Sequence, residues 1–223
     1  AVGLAVAAIP EGLPAVMTIT LAIGVQRMAR RSAIIRRLPA VEALGSVTVI
    51  CSDKTGTLTR NEMTVQRVIS ADGVLEVSGG GYVPEGVFRS AERELEPAAT
   101  PLLLALGRVC VLCNDAELTL EDKGWVLLGD PTEGALLSLA LKAGVDPLRQ
   151  RAQMVRDDVI PFEAEHRIMA TLHHDPRGDA CIMLKGAPER VLDLCTNCLG
   201  LDGGVRELDV DHWQQAISAA AAQ

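Results

Sequence analysis

Apolar residues fall into three kinds of run along this 223-residue chain. The first is long. Ala1–Val25 holds one charge, Glu11, set between Pro10 and Gly12. That length suits a bilayer span, and Pro10 and Pro14 predict a broken helix with unpaired carbonyls beside an ionisable group. An ionisable side chain against unwound backbone in a span reads as an ion site; the other reading is a buried soluble helix with a solvent-facing Glu. The second kind is short and continuous: Val47–Cys51 predicts a buried strand bounded by turn-prone residues. The third is periodic. The spacing predicts helices over 102–113, capped at Thr100 with Pro101 in the first turn, and over 132–143, stopped by Gly144. Further helices are predicted over 188–194 and 211–222, the latter with Asp211 near its cap. Strands are predicted over 63–69, 74–77, 125–128, 157–161, 168–173 and 180–184, with Ala71-Asp72-Gly73 as the first turn and 79–97 as loop. After residue 62 the elements mix without a βαβ rhythm, which predicts an α+β domain with an antiparallel sheet.

Charge divides the chain at the same place. Residues 1–62 carry seven Lys/Arg and four Asp/Glu, a balance of +3; residues 63–223 carry fourteen and twenty-five, a balance of −11. Arg27, Arg30, Arg31, Arg36 and Arg37 follow the apolar run directly. A basic cluster after a span marks the cytoplasmic side, so residues after about 27 are expected in the cytoplasm. An ordinary basic helix face is the alternative. The acidic remainder argues against nucleic acid as a partner, and an aromatic content of 2% leaves almost no platform for stacking bases. Cys110/Cys113 and Cys195/Cys198 have CxxC spacing. With no flanking His or Gly-rich knuckle, and with the first pair inside an apolar helical pattern, they read better as free buried thiols than as zinc ligands.

The densest chemistry is Asp53-Lys54-Thr55-Gly56-Thr57-Leu58-Thr59, just past the predicted strand over 47–51. Open α/β sheets place ligands at the carboxyl ends of strands. Asp53 can attack phosphorus, Lys54 can neutralise oxygen charge, and Gly56 lets backbone approach a phosphoryl group without a Cβ in the way. A turn in which Asp53 merely caps the next segment is the structural alternative.

Those seven residues resemble the phosphorylation motif of P-type ATPases, ion pumps that form an aspartyl-phosphate. Pro10-Glu11-Gly12-Leu13-Pro14 resembles the PEGLP of the fourth transmembrane helix in the calcium-type pumps, and Leu38-Pro39-Ala40-Val41-Glu42-Ala43-Leu44-Gly45 resembles their stalk. Three later segments resemble the family's nucleotide-binding domain: Gly129-Asp130-Pro131-Thr132-Glu133-Gly134-Ala135-Leu136; Pro161-Phe162 with His166-Arg167-Ile168-Met169; and Lys185-Gly186-Ala187-Pro188-Glu189. Together they span nearly the whole chain in family order.

The resemblance implies roles residue by residue. Asp53 is the nucleophile, Lys54 and Thr57 accompany it, and Mg²⁺ is held by Asp53 and the Thr55 carbonyl. Glu11 coordinates the transported cation, and oxygen ligands suit a hard ion such as Ca²⁺. ATP occupies a site made by Glu133, Phe162, Arg167, Met169, Lys185 and Gly186. Phe162 stacks on the adenine or is a core Phe. Glu133 accepts from the adenine amino group or is a first-turn helix Glu. Lys185 sits at the pocket floor or is a surface Lys; Arg167 attracts phosphates or is a solvated edge residue; Met169 is pocket wall or core. Two positions depart from the family. Ala164 stands where Arg is frequent, and Arg167 where Lys is usual, which implies fewer phosphate contacts and modest affinity.

The implied fold is a partial haloacid-dehalogenase-like phosphorylation domain (α/β) with an inserted antiparallel-sheet nucleotide-binding domain (α+β), preceded by a transmembrane segment. The expected divisions are 1–37 for the span and stalk, 38–62 for the phosphorylation domain's start, and 63–223 for the nucleotide-binding domain. Both ends are expected to be cuts, the second inside the nucleotide-binding domain. The implied function is part of an ATP-driven cation pump in a membrane, with ATP, Mg²⁺, the cation and the lipid bilayer as partners. A soluble phosphohydrolase of the haloacid dehalogenase type is the first alternative; such enzymes have Asp two residues after the nucleophile as acid/base, where Thr55 stands here. The second is a non-catalytic ATP-binding module, which describes the chain on its own, since no TGE or GDGxND segment occurs in it.

Overall fold

The computed structural model describes residues 12–37, 39–91, 93–122 and 124–222. The chain forms two compact units, Ala1–Leu58 and Thr59–Gln223.

In the first unit, helix α1 (Leu13–Ala29) starts at Gly12, with Pro14 in its first turn. Proline is harmless there because its missing N–H would have no intrahelical acceptor. Pro14 therefore opens this helix; the break that the sequence predicts turns on residues outside the described ones. Thr18 and Thr20 donate back to the carbonyls of Pro14 and Val16, both at 2.8 Å. Pro10 and Glu11 lie outside the described residues. No helix among the described residues is long and apolar enough to cross a membrane. Helix α2 (Pro39–Gly45) packs on α1, with Val41 Cγ1 in the space beside Gly24.

The strand expected over 47–51 does not form. The segment is exposed and unpaired, with Val49 73% and Ile50 87% accessible. An apolar run becomes a strand only when a neighbour completes its hydrogen-bond ladder, and no strand among the described residues pairs with it.

The second unit is a mixed α/β body whose sheets are all antiparallel. Strands β1 (Arg67–Ser70), β2 (Gly73–Val77), β3 (Phe88–Ser90) and β4 (Arg93–Leu95) form a four-stranded meander. Helix α3 (Pro101–Leu112) follows, then the hairpin β5 (Glu117–Glu121) and β6 (Gly124–Leu128), helix α4 (Pro131–Lys142) and helix α5 (Pro147–Gln153). A three-stranded sheet of β7 (Val155–Ile160), β8 (Ile168–His174) and β9 (Ala180–Gly186) comes next. Helix α6 (Pro188–Leu192), the short hairpin β10 (Asn197–Leu199) and β11 (Val205–Glu207), and helix α7 (Val210–Ala221) complete it.

The core lies where α3 and α4 meet the first sheet. Leu75, Phe88, Leu103, Val111, Leu137 and Ala140 are almost wholly buried. Each large side chain removed from water contributes about 1.5–3 kcal/mol. Phe88 corrects the loop expected over 79–97: that stretch contains β3 and β4. Strands of three residues are too short to show a period, and only burial against α3 and α4 marks them. Asp209 caps α7 through His212 N at 3.0 Å, with Asp211 in the first turn, near the cap as expected. Thr100 precedes α3 as expected, but its hydroxyl donates backwards to Glu96 O at 2.8 Å.

Candidate functional site

The residues expected to carry chemistry fall in two places, one in each unit. In the first unit, Asp53 to Leu58 form an exposed turn. Gly56 has φ +74°, a left-handed conformation that strains any residue with a Cβ. Thr55 before it is extended, at φ −78° and ψ 125°. The Asp53 carboxylate accepts from its neighbour Lys54 N at 2.7 Å, and Ser52 Oγ donates to Asp53 O at 3.0 Å. Both of these contacts are local. Asp53 and the Thr55 carbonyl are hard oxygen donors, a set that fits Mg²⁺, which takes one or two protein oxygens and completes its shell with water and phosphate. Among the described residues no group of three or more His, Cys, Asp or Glu is placed to hold a metal by itself.

In the second unit the site is assembled from distant segments. Asp130 caps α4, accepting from Thr132 N at 2.8 Å and Glu133 N at 3.4 Å. The Thr132 hydroxyl and these N–H groups hold the Asp130 carboxyl below its usual range. This cap sets Glu133 in the first turn. Lys185 stands near the end of β9, opposite Met169 on β8. Its Nζ lies 2.5 Å from Glu133 Oε1, joining side chains that are 21% and 16% exposed. The pair is half sheltered, where a charge-assisted bond is stronger than on an open surface.

Gly186 closes the arrangement. A Cβ there would lie 2.4 Å from Arg167 O, and Ala187 N donates to that same carbonyl at 2.8 Å. Arg167 itself is left-handed, at φ +56°, with its N–H bonded to Glu163 O at 2.7 Å. The loop bearing Phe162 and Arg167 is thus fastened to the strand end bearing Lys185.

The two phenylalanines separate cleanly. Phe88 is fully buried and Phe162 is 59% exposed, so Phe162 is no core residue. Met169 is 2% exposed and belongs to the core; Cys113 Sγ donates to its carbonyl at 3.4 Å. Glu133, Lys185, Met169 and Gly186 therefore share one corner, with Phe162 and Arg167 on the loop tied to it.

Three contributors were not foreseen from sequence. Asn114 donates to Glu133 O, Asp115 N donates to Glu133 Oε2 at 3.3 Å, and Arg156 holds Asp115 at 2.6 Å. The signal was present as Asn-Asp directly after an apolar helical run, a composition that favours helix ends and turns.

A cavity of about 930 Å³ opens between α3, α6 and α7, with Lys185 and Gly186 among its lining residues. Leu102, Leu106, Val191, Trp213 and Ile217 make much of its wall apolar, which suits no triphosphate. Burial pushes the Cys110 thiol up to about 12 and raises Cys113 too. Cys198 Sγ donates to Glu207 O at 3.5 Å.

Residues 103–223 match the family model described as P-type ATPase, cytoplasmic domain N. Among characterised relatives, the chain is 49% identical to the cation-transporting ATPase pma1 of Synechocystis, across all of this chain and 25% of that protein. It is 46% identical to the calcium-transporting ATPase type 2C member 1 of Bos taurus, across 87% of this chain and 20% of that protein. Against the calcium-transporting ATPase of Bacillus subtilis the identity is 43%, across 84% and 21%. The chain spans about a quarter or less of the length of these relatives.

Proposed function

Because this chain belongs to the P-type cation-transporting ATPases, we propose that it forms part of an ATP-driven pump that is phosphorylated at Asp53. The observation that carries the reading is the Lys185–Glu133 pair at 2.5 Å, which brings segments 52 residues apart into one polar, half-sheltered corner. ATP binds there. Glu133 accepts from the adenine amino group, Phe162 offers an exposed ring for stacking, and Lys185 and Arg167 supply positive charge for the nucleotide. In this reading, residues 63–223 are the nucleotide-binding domain, 38–62 begin a phosphorylation domain of the haloacid dehalogenase type, and 1–37 are a membrane segment and stalk.

At Asp53 the carboxylate oxygen attacks the γ-phosphorus. The bond between that phosphorus and the β–γ bridging oxygen breaks, its electron pair leaves with ADP, and an acyl phosphate remains on the protein. Lys54 and the Thr57 hydroxyl stabilise the transferred phosphoryl oxygens. Asp53 and the Thr55 carbonyl would hold Mg²⁺, which supplies charge neutralisation when bound. Thr55 cannot relay a proton near neutral pH, so the acyl phosphate persists instead of being hydrolysed at once. That lifetime allows the phosphoenzyme to drive rearrangement around Glu11, the proposed ligand of the transported cation, with Ca²⁺ favoured. Calcium-transporting relatives support this choice of ion.

The test is phosphorylation of the intact membrane pump from ATP labelled in its γ-phosphate. The wild type incorporates acid-stable, hydroxylamine-sensitive label dependent on Ca²⁺; Asp53→Asn incorporates none. Label persisting in Asp53→Asn removes Asp53 as nucleophile, and label that responds to Na⁺, K⁺ or Mn²⁺ in place of Ca²⁺ changes the ion.

A further inference from the structure

We infer that Asn114 is a positioning residue for the nucleotide site, acting through Glu133 to set the preference for a purine nucleotide that carries an exocyclic amino group. The inference rests on Glu133 and Lys185 being nucleotide ligands, as proposed above.

Asn114 is 2% exposed and follows α3 by two residues. Its Nδ2 donates to Cys110 O and to Glu133 O, each at 3.0 Å, and its Oδ1 accepts from Ala116 N at 2.9 Å. These partners define the amide's orientation, since the flipped amide would set oxygen against two carbonyls. The last carbonyls of a helix have no intrahelical donor, and a buried one must find a partner. Asn114 supplies one for Cys110 O and spends its second proton on α4. A single buried side chain thus joins the end of α3 to the first turn of α4.

The consequence falls on the Glu133 carboxylate. With the loop held, Asp115 N reaches Glu133 Oε2 at 3.3 Å while Lys185 Nζ occupies Oε1. A carboxylate tied at both oxygens has one orientation. It still has lone pairs to accept another donor, because an ionised carboxylate offers about four acceptor sites. Arg156 secures the same loop from outside. Its Nη1 pairs with Asp115 Oδ1 at 2.6 Å, and its Nη2 donates to Leu112 O at 2.9 Å and Asn114 O at 2.8 Å. Glu133 is thereby presented as a fixed acceptor. Adenine meets it with an amino group; hypoxanthine meets it with a carbonyl oxygen, lone pair against lone pair.

The experiment compares ATP with ITP by calorimetric titration of the full chain, in the wild type, Asn114→Ala, Glu133→Gln, the double variant and Arg156→Lys. Asn114→Ala is expected to weaken ATP binding about tenfold while leaving ITP nearly unchanged, as loss of an oriented, charge-assisted hydrogen bond requires. In the Glu133→Gln background the same substitution is expected to add nothing, because residues acting through one another are not additive. Arg156→Lys, at a side chain 31% exposed, loosens the loop without opening the core and shifts the ATP/ITP ratio in the same direction by a smaller factor. Equal weakening of ATP and ITP by Asn114→Ala, additive with Glu133→Gln, overturns the inference. Should Asn114→Ala fail to fold, an unchanged ratio in Arg156→Lys overturns it. If Glu133→Gln leaves ATP affinity unaltered, the nucleotide site itself is misplaced and the inference falls with it; if Glu133→Gln weakens ATP but Asn114→Ala keeps the wild-type ratio, only the role of Asn114 is lost.

Discussion

The turn at Asp53 and the corner at Glu133 and Lys185 are built in opposite ways. Asp53 is held by Lys54 and Ser52, its immediate neighbours, and stands in solvent. Glu133 is held by Asp115 and Lys185, 18 and 52 residues away, and is half sheltered. A phosphoacceptor, the role proposed for Asp53, must meet a donor brought to it, so an exposed turn serves. A site that discriminates one base from another needs acceptors with a single orientation, and only packed elements supply that. The second site adjoins the buried core, while the first stands in solvent.

The largest effect that tests this contrast is at Phe88. Phe88→Ala is expected to cost about 3–5 kcal/mol, the usual range for emptying a fully buried aromatic site. It lowers the thermal midpoint and abolishes ATP binding through loss of the scaffold. Asp53→Asn, at an exposed turn, is expected to change stability by less than about 0.5 kcal/mol. Comparable losses in both, read by thermal denaturation, would break the distinction between the packed site and the local turn.

A smaller effect is expected within the corner. Lys185→Ala should weaken ATP binding about tenfold or more, since it removes a charged partner and leaves Glu133 half sheltered and unpaired. Phe162→Ala should weaken it about tenfold by loss of stacking while leaving the thermal midpoint unchanged. A fall in midpoint for Phe162→Ala as large as for Phe88→Ala would return Phe162 to the core and dissolve the contrast between the two rings.

The smallest concerns pH. Burial raises the folded-state Cys110 thiol to about 12, above its ordinary value. The unfolded chain therefore releases this proton first as pH rises. The stability contributed by the neutral thiol is complete below pH ~9 and is lost progressively as pH climbs towards ~12. Denaturation midpoints in the wild type should decline over that window, and Cys110→Ala should flatten the decline. An equal slope in both would show that the thiol does not titrate as a core group.

Much of the second unit was legible in advance because its elements are long and periodic. α3, α4, β8 and β9 fall within a few residues of their expected bounds. What was missed is short or depends on partners. β3, β4, β10 and β11 have three residues each, too few for a period. The 47–51 run has strand composition but no strand beside it. Among site residues, the motifs named Glu133, Lys185 and Gly186, and the fold brings all three together. Met169, from the segment that also holds Phe162, took the core of its two expected places, pocket wall or core. Asn114, Asp115 and Arg156 were invisible as a set, since nothing in their spacing reveals that a loop after α3 and a strand 40 residues later close on one carboxylate.

Contiguous sequence by itself determined the family, the turn proposed as phosphoacceptor and the identity of most candidate ligands, because those depend on residue types in a fixed local order. Tertiary structure alone decided which phenylalanine is exposed, that Lys185 meets Glu133, and that Asn114 stands behind them. Those outcomes depend on burial and on hydrogen bonds between segments far apart in the chain, and such contacts leave no period or spacing to read.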